Sequence, residues 1–302
     1  MSTPSRFTQR WLACTAGASM ARWACLLTIA TLGLLSGSAA QAESYKIDFN
    51  ADAAGNSIKV GNGKAKKGAG ELIDDEWADW GVNISGWNKG TKSDAKLLLF
   101  NTGKTTGDDG DLRTGSNWGT KPQGNALIIQ EKNNGSYNLH NPDDERGGGY
   151  IDFDFDKEVN FKGFSLLDVD DNGGGISVQG YDADNNQVLN ISIDDLITKH
   201  KSKNGSKGAA KAKGKSVTLN GVTLTQEGKK WGNNSLFKFQ VEDALLTQVR
   251  INYPGSGAVT GLEWSDAEPP RVPEPSATAG VMLLGAVGLR RLRKRKAEDE
   301  MA

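Results

Sequence analysis

The stretch YIDFDF at residues 150–155 alternates strictly between polar and apolar side chains. Strict alternation has the period of a β-strand, in which successive side chains point to opposite faces of a sheet. An amphipathic helix would instead repeat its apolar residues every three or four positions. The stretch therefore predicts a half-buried β-strand, and its period is the one to look for in the rest of the chain.

Short apolar or alternating runs of the same kind flank this stretch on both sides. They lie at residues 45–49, 97–100, 126–130, 159–169, 176–181, 188–193, 217–224, 236–241, 246–253 and 258–264. Clusters of Gly, Asn and Asp separate the runs, and the cluster at 182–186 predicts a hairpin turn. Residues 74–80 and 194–199 predict short helical turns, and no long amphipathic helix is evident. Many short strands joined by turns predict an all-β fold, an antiparallel β-sandwich or a jelly-roll-like domain.

A lysine-rich insertion interrupts this pattern at residues 199–215, KHKSKNGSKGAAKAKGK. It contains no apolar residue larger than Ala, so the sequence predicts a flexible loop. Two interpretations stay open for its charge. It is either an electrostatic contact for acidic polysaccharide or a solvated insertion without a specific partner, and charge runs are more often solvated.

Residues 1–42 have the features of a secretory signal peptide. The positive region holds three arginines and no acidic residue: Arg6, Arg10 and Arg22. An apolar region follows at 23–35, and Ala40-Gln41-Ala42 fits the A-x-A cleavage rule. The sequence therefore predicts export and a mature N-terminus at Glu43. The alternative is a retained N-terminal anchor, which the short apolar region and the A-x-A site disfavour.

Residues 272–302 combine a proline-rich motif, an apolar run and a basic cluster, in that order. The motif is Pro273, Glu274 and Pro275, and the apolar run occupies 277–289. Arginines just beyond the run would stop its transfer across a membrane: Arg290, Arg291 and Arg293. The segment predicts a short transmembrane helix in the inner membrane, aided by snorkelling arginines. The alternative is an amphipathic surface helix or a core helix with a solvated basic tail.

This arrangement resembles the PEP-CTERM sorting signal of Gram-negative bacteria. The resemblance implies that an exosortase, an integral-membrane cysteine transpeptidase, recognises the motif at 273–275. It also implies an exported protein of the cell surface or the extracellular matrix, tied to extracellular polysaccharide and biofilm formation. The segment at 73–264 resembles the ectodomain found ahead of such signals, which implies a β-sandwich and supplies no catalytic residues. The predicted domains are therefore a signal peptide at 1–42, a β-sandwich ectodomain at 43–271 and a sorting signal at 272–302.

Charge and composition exclude several functions for the ectodomain. Without three basic residues of the leader, and six basic and three acidic residues after position 275, the chain keeps 27 basic and 34 acidic residues. An acidic exported domain argues against nucleic acid as a partner. Both cysteines, Cys14 and Cys25, lie in the predicted leader, so disulfides, thiol catalysis and zinc–thiolate sites are not expected in the ectodomain.

An enzyme is the less favoured interpretation. The chain has two histidines, His140 and His200, and no G-x-S-x-G motif, so a Ser-His-Asp triad has little support. A glycan-active enzyme with paired carboxylates, a glycoside hydrolase or a lyase on the same scaffold, stays open as the alternative. Trp118 and Trp231 are flanked by Gly and Asn and are the candidate glycan contacts, although tryptophans more often serve packing.

Acidic clusters recur at 108–111, 141–145 and 168–173. The third cluster matches the first half of a calcium loop, D-x-[DN]-x-[DN]-G, without the bidentate Glu or the flanking helices of an EF-hand. The sequence therefore predicts Ca²⁺ as a candidate ligand on a β scaffold, and the alternative is solvated Asx turns. The candidate ligands come from the first and third clusters: Asp108, Asp111, Asp168, Asp170 and Asn172.

Overall fold

The structure, a computed structural model, describes residues 42–61, 70–103, 110–133, 135–169, 175–205 and 208–267. The predicted signal peptide, except for Ala42, and the whole sorting segment lie outside these residues. None of the helices in the described ranges is long and apolar enough to cross a membrane.

Within the described residues, the chain forms fifteen strands and short helical segments. The strands are β1 (Ser44–Ile47), β2 (Glu71–Leu72), β3 (Val82–Asn88), β4 (Ser93–Asp94), β5 (Leu97–Asn101), β6 (Asn125–Ile129), β7 (Lys132–Asn133), β8 (Ser136–Tyr137), β9 (Gly149–Leu167), β10 (Ser177–Tyr181), β11 (Gln187–Ser192), β12 (Ser216–Leu219), β13 (Val222–Gln226), β14 (Leu236–Tyr253) and β15 (Ala258–Asp266). The α-helices are α1 (Ile193–His200) and α2 (Ala209–Ala212), with 3₁₀ turns at Ala78–Trp80 and Ser116–Trp118 and a π-helix at Lys201–Gly205.

The fold is all-β and antiparallel, and two long strands organise it. β9 and β14 pair with each other along nearly their whole lengths, with register shifts in the middle. On one side of these shifts, β9 pairs with β3, and β14 pairs with β10, which in turn pairs with β11. On the other side, β9 pairs with β15 and β14 pairs with β13. We call the β3-β9-β14-β10-β11 portion the first sheet half and the remainder the second sheet half.

The two sheet halves bury their inner faces in one core, which gives a sandwich-like arrangement. Ile151 and Phe153 come from the first half, and Phe161, Phe239 and Trp264 from the second. Each of these side chains is at most 1% exposed. The strict alternation at 150–155 thus serves the purpose predicted for it: its apolar residues enter the core and its polar residues lie on the outer face.

A second, smaller core lies beneath the loop at 110–120. Leu112 from this loop is fully buried against Leu98, Phe100, Ile128 and Leu236. The main core does not include these residues, so the loop covers an apolar patch of its own. This packing fixes the position of the loop, which carries two of the predicted site residues, Asp111 and Trp118.

The strand predictions are largely confirmed, with four corrections. The run at 150–155 and most of the run at 159–169 belong to one strand, which ends at Leu167. The runs at 236–241 and 246–253 also form one strand, while 217–224 lies in a hairpin of two strands. The strands β2, β3, β4, β7 and β8 were not predicted. The predicted turn at 182–186 is confirmed, with Asp182 accepting hydrogen bonds from the backbone of Asp184 and Asn186 at 3.0 and 2.8 Å.

The prediction of a flexible loop at 199–215 is wrong for most of that segment. The end of α1, the π-helix and α2 occupy much of it. The reason is that two of its side chains reach the interior. His200 is fully buried and its Nε2 lies 2.9 Å from the carbonyl oxygen of Lys215, and Ala212 is also fully buried. These contacts hold a segment whose composition alone would leave it solvated.

Candidate functional site

The loop at 227–235, between β13 and β14, gathers several of the residues predicted from sequence. The buried side-chain amide of Gln226 anchors its first part, donating to the carbonyl oxygens of Gly228 and Lys230 at 2.8 and 3.4 Å. The same amide donates to Ala209 O at 3.1 Å, which ties the loop to the lysine-rich insertion. The loop is therefore held from below by one buried side chain.

Trp231 lies half-buried on this loop, with one side toward the protein. Its ring stacks on Phe237 with a centroid separation of 5.9 Å and contacts the edge of His200 at 5.6 Å. The ammonium group of Lys201 lies 5.0 Å from the centre of the indole ring, within the range of a cation–π interaction. The ring of Trp231 therefore contacts the core through Phe237 and the lysine-rich insertion through His200 and Lys201.

Trp118 lies on the neighbouring 110–120 loop and is also half-buried. Lys230 places its ammonium group 5.6 Å from the centre of this ring. The backbone N–H of Lys229 donates to the carbonyl oxygen of Trp118 at 2.9 Å. A Cβ at Gly119 would collide with the side-chain stem of Lys229, so the two loops are in close contact.

We call Trp118, Trp231, Lys201 and Lys230 the lysine–tryptophan surface. Each indole ring of this surface has an ammonium group over it, and both rings are linked through the 227–235 loop. Among the described residues, neither Lys229 nor Lys230 forms an ion pair with a carboxylate. The charge of Lys230 is therefore available to an anionic ligand.

Two of the predicted calcium ligands contact the end of the same loop. The carboxylate of Asp111 accepts from the side chain of Asn233 at 2.9 Å. The backbone N–H of Asp168 donates to the carbonyl oxygen of Ser235 at 2.9 Å, and Asp168 is only 3% exposed with φ of 60°. The structure therefore brings Asp111, from the first acidic cluster, and Asp168, from the third, into contact with the same loop. Asp108, Asp170 and Asn172 lie outside the described residues.

The acidic cluster at 141–145 contributes to the loop structure. Asp144 accepts from the backbone N–H of Gly257 at 2.6 Å. Glu145 accepts from the side chain of Asn88 at 2.6 Å and from the backbone of Gly147 at 2.8 Å. Both carboxylates are buried, so their hydrogen bonds replace those that water would have made.

The described residues contain no group of three or more His, Cys, Asp or Glu side chains placed to hold a metal ion. His140 is exposed. His200 is buried, and this burial lowers the pKa of its imidazole, opposed by the contact with the Lys215 carbonyl and reinforced by the charge of Lys203. His200 therefore supports the fold beneath Trp231 in its neutral form.

Sequence reasoning identified the two tryptophans but not the lysines that lie over them. The sequence carries a signal in the tripeptide Lys229-Lys230-Trp231 and in the lysine-rich insertion, but local patterns do not show that the two lie together. Their proximity depends on two buried anchors, Gln226 and His200, which no local pattern marks.

No known protein family matches the chain, and no curated protein or solved structure is significantly similar to it.

Proposed function

We propose that the protein is an exported, non-catalytic component of the cell surface or the extracellular matrix that associates with acidic polysaccharide. In this proposal, residues 1–42 direct export, and an exosortase-like transpeptidase recognises the Pro273–Pro275 motif while the apolar run at 277–289 resides in the inner membrane. The sandwich-like domain is then the ectodomain, and it contributes to extracellular polysaccharide or biofilm.

The observation that carries the binding part is the lysine–tryptophan surface. Indole rings provide flat apolar surfaces for the C–H faces of sugar rings, and ammonium groups neutralise the carboxylates of acidic sugars. Two such pairs on adjoining loops, held by buried anchors, require little ordering when a ligand binds, which lowers the entropic cost of association. A cation next to an aromatic ring thus favours an anionic sugar over a neutral one.

The binding is tested with a polyuronate, such as polygalacturonate, as the probe. Lys201→Glu with Lys230→Glu should weaken binding at least tenfold, equivalent to about 1.4 kcal/mol, because attraction becomes repulsion. The measurement is calorimetry at low and high salt. Lys59→Glu with Lys132→Glu is the matched control, since it makes the same charge change elsewhere and Lys132 lies over Tyr137 at 5.6 Å. Equal loss in both variants would show a general charge effect and contradict the proposed surface.

Sorting is tested by the intact mass of the protein in the cell fraction and in the medium. We expect a mature N-terminus at Glu43 and loss of the segment after the Pro273–Pro275 motif. Replacing Arg290, Arg291 and Arg293 with Glu should disturb sorting, because these residues would no longer resist translocation. Recovery of the 290–296 peptide from secreted protein would contradict the C-terminal part of the proposal.

We also propose that Ca²⁺ supports the ectodomain through the loops that carry Asp111 and Asp168. The support is the convergence of both loops on residues Asn233 and Ser235, together with the calcium-loop spacing at 168–173. Calcium takes six to eight oxygen ligands, so carbonyl groups and water would complete the shell.

A further inference from the structure

The outer face of the first sheet half carries polar and aromatic side chains in register across its strands. This follows from the period of two: in β9 and β14, the residues on the inner face are buried and apolar, whereas those between them point outward. Cross-strand partners form three rows on the outer face. The rows are Ser192, Ser177, Asn252, Tyr150 and Trp87; Asn190, Gln179, Arg250, Asp152 and Ser85; and Tyr181, Gln248, Asp154 and Asn83.

Trp87 and Tyr150 form the aromatic pair of this face. They are direct cross-strand partners on β3 and β9, and both are half-buried. The guanidinium group of Arg250 lies 4.0 Å from the centre of the Tyr150 ring. This stacking fixes the ring orientation, because a planar guanidinium favours contact with an aromatic face.

The polar side chains of the rows form hydrogen bonds with one another. Arg250 donates to both carboxylate oxygens of Asp152, each at 2.7 Å. Gln248 donates to Asp154 at 2.6 Å. The hydroxyl group of Tyr181 donates to Gln179 at 3.1 Å. The face is therefore preorganised, and the ion pair neutralises one charge of each sign.

Arg250 is the one cation in the three rows, and its ion pair with Asp152 leaves the rows with no unpaired cation to attract a polyanion. The other carboxylate of the rows, Asp154, accepts from Gln248, and burial is the main cause that raises its pKa. The polar atoms of the rows are suited to hydroxyl groups, which both donate and accept hydrogen bonds.

Two hollows adjoin the aromatic pair. The larger one has a volume of about 820 Å³, and besides Trp87 and Tyr150 its lining includes Asp74, Asp94 and Lys96. The smaller one, of about 270 Å³, lies on the side of Lys89 and Asn252. Both volumes are near the range of small-ligand clefts, which are about 300–1,000 Å³. Trp87 and Tyr150 line both hollows, so a ligand that follows the rows would cross the aromatic pair.

We infer that this outer face binds a neutral polysaccharide, with a sugar ring stacked on Trp87 beside the Arg250-covered ring of Tyr150, and with hydroxyl groups bonded to the amides and carboxylates of the rows. A protein partner fits less well, because the centre of a protein interface is more apolar than its rim, whereas Ser, Asn, Gln and Asp side chains make up most of these rows. The site goes beyond the proposed function: it involves none of the lysine–tryptophan surface. A protein with both sites would link acidic and neutral polymers of a matrix.

The test uses the full chain and soluble neutral polysaccharides, namely laminarin, xyloglucan and galactomannan, in affinity electrophoresis. We expect retardation by at least one of them. Trp87→Ala should weaken that binding at least tenfold, whereas Trp118→Ala should leave it unchanged. Ser85→Lys is a second variant that puts bulk and charge on the face at an exposed position, away from the core, and it should also abolish retardation.

The two proposals separate in the same assay when polygalacturonate is included. Trp87→Ala and Ser85→Lys should retain polyuronate binding, and Lys201→Glu with Lys230→Glu should retain neutral binding. Retardation by none of the neutral polymers, or retardation unaffected by both Trp87→Ala and Ser85→Lys, would overturn the neutral site and leave the acidic one standing. Release of new reducing ends from a retarded polymer would overturn a binding-only role and indicate a glycan-active enzyme.

Discussion

His200 shows how a single residue can hold a surface in place. Its Nε2 must carry the proton shared with the carbonyl oxygen of Lys215, because a carbonyl group only accepts hydrogen bonds. The other ring nitrogen, Nδ1, is buried, and the described residues provide it with no hydrogen-bond partner. Protonation would bury a charged N–H group without an acceptor beneath Trp231, so the fold favours the neutral ring.

We therefore expect acid to destabilise the domain through His200. The pKa of His200 is lower in the folded protein than the ordinary value of about 6.5. Below pH ~6.5 the imidazole therefore binds a proton more readily in the unfolded chain than in the folded protein. This contribution to the free energy of unfolding is present above pH ~6.5 and is lost as the pH falls toward the folded pKa. The measurement is urea unfolding at pH 7.5 and 5.5.

His200→Gln is the control, since a Gln amide can still donate to Lys215 O but does not titrate. The stability difference between the two pH values should be smaller in this variant than in the parent. An identical difference in both proteins would show that carboxylates elsewhere cause the acid effect.

At the level of single elements, β3 shows what the sequence could and could not predict. Its residues VNISGWN alternate, but Gly86 and three polar residues weaken the apolar signal, so the strand was missed and Trp87 with it. By contrast, β9 was evident because Ile151, Phe153 and Phe155 fill every second position. The pairing of Trp87 with Tyr150 depends on register between distant strands, which local periodicity does not encode.

Gly149, at the start of β9, lets β3 and β9 approach closely. A Cβ at this position would collide with the carbonyl oxygen of Trp87, which is backbone and cannot move without displacing β3. Gly149→Ala should therefore lower the free energy of unfolding by about 1–3 kcal/mol, the usual cost of overpacking. It should also weaken binding of neutral polysaccharide, because Trp87 would shift away from Tyr150.

Urea unfolding and affinity electrophoresis measure both effects. Gly110→Ala is the matched control, because a Cβ there meets nothing within 4 Å, and its effect should stay within about 0.5 kcal/mol. Equal stability of the two variants would mean that β3 adjusts without cost.

At the level of the whole molecule, β9 and β14 make the two sheet halves one structural unit. Both strands pass from one half to the other, and a single core receives side chains from both halves. No disulfide is available to the described domain, since Cys14 and Cys25 lie outside it. The all-β class followed from many short alternating runs. The sequence did not predict that neighbouring runs join into β9, of 19 residues, and β14, of 18 residues, because register shifts interrupt the periodicity of both strands.

Calcium is expected to act at this scale, because its candidate loops come from distant parts of the chain. Asp111 and Asp168 reach Asn233 and Ser235, so an ion there would join the small core under the 110–120 loop to the ends of β9 and β14. Extracellular calcium modules bind at about 10⁻⁴–10⁻³ M. At ten times such a Kd, calcium would stabilise the folded state by roughly 1.4 kcal/mol and raise the Tm by a few degrees.

Thermal unfolding in millimolar calcium and in chelator measures this shift. Asp168→Asn with Asp170→Asn should remove the calcium response while leaving the fold intact, because Asn tolerates the positive φ of Asp168 and has nearly the same shape. Glu158→Ala with Glu242→Ala removes two exposed carboxylates elsewhere and should keep the response. A Tm that is indifferent to calcium in the parent protein would make the acidic loops ordinary turns, and stability would then rest on the apolar core alone.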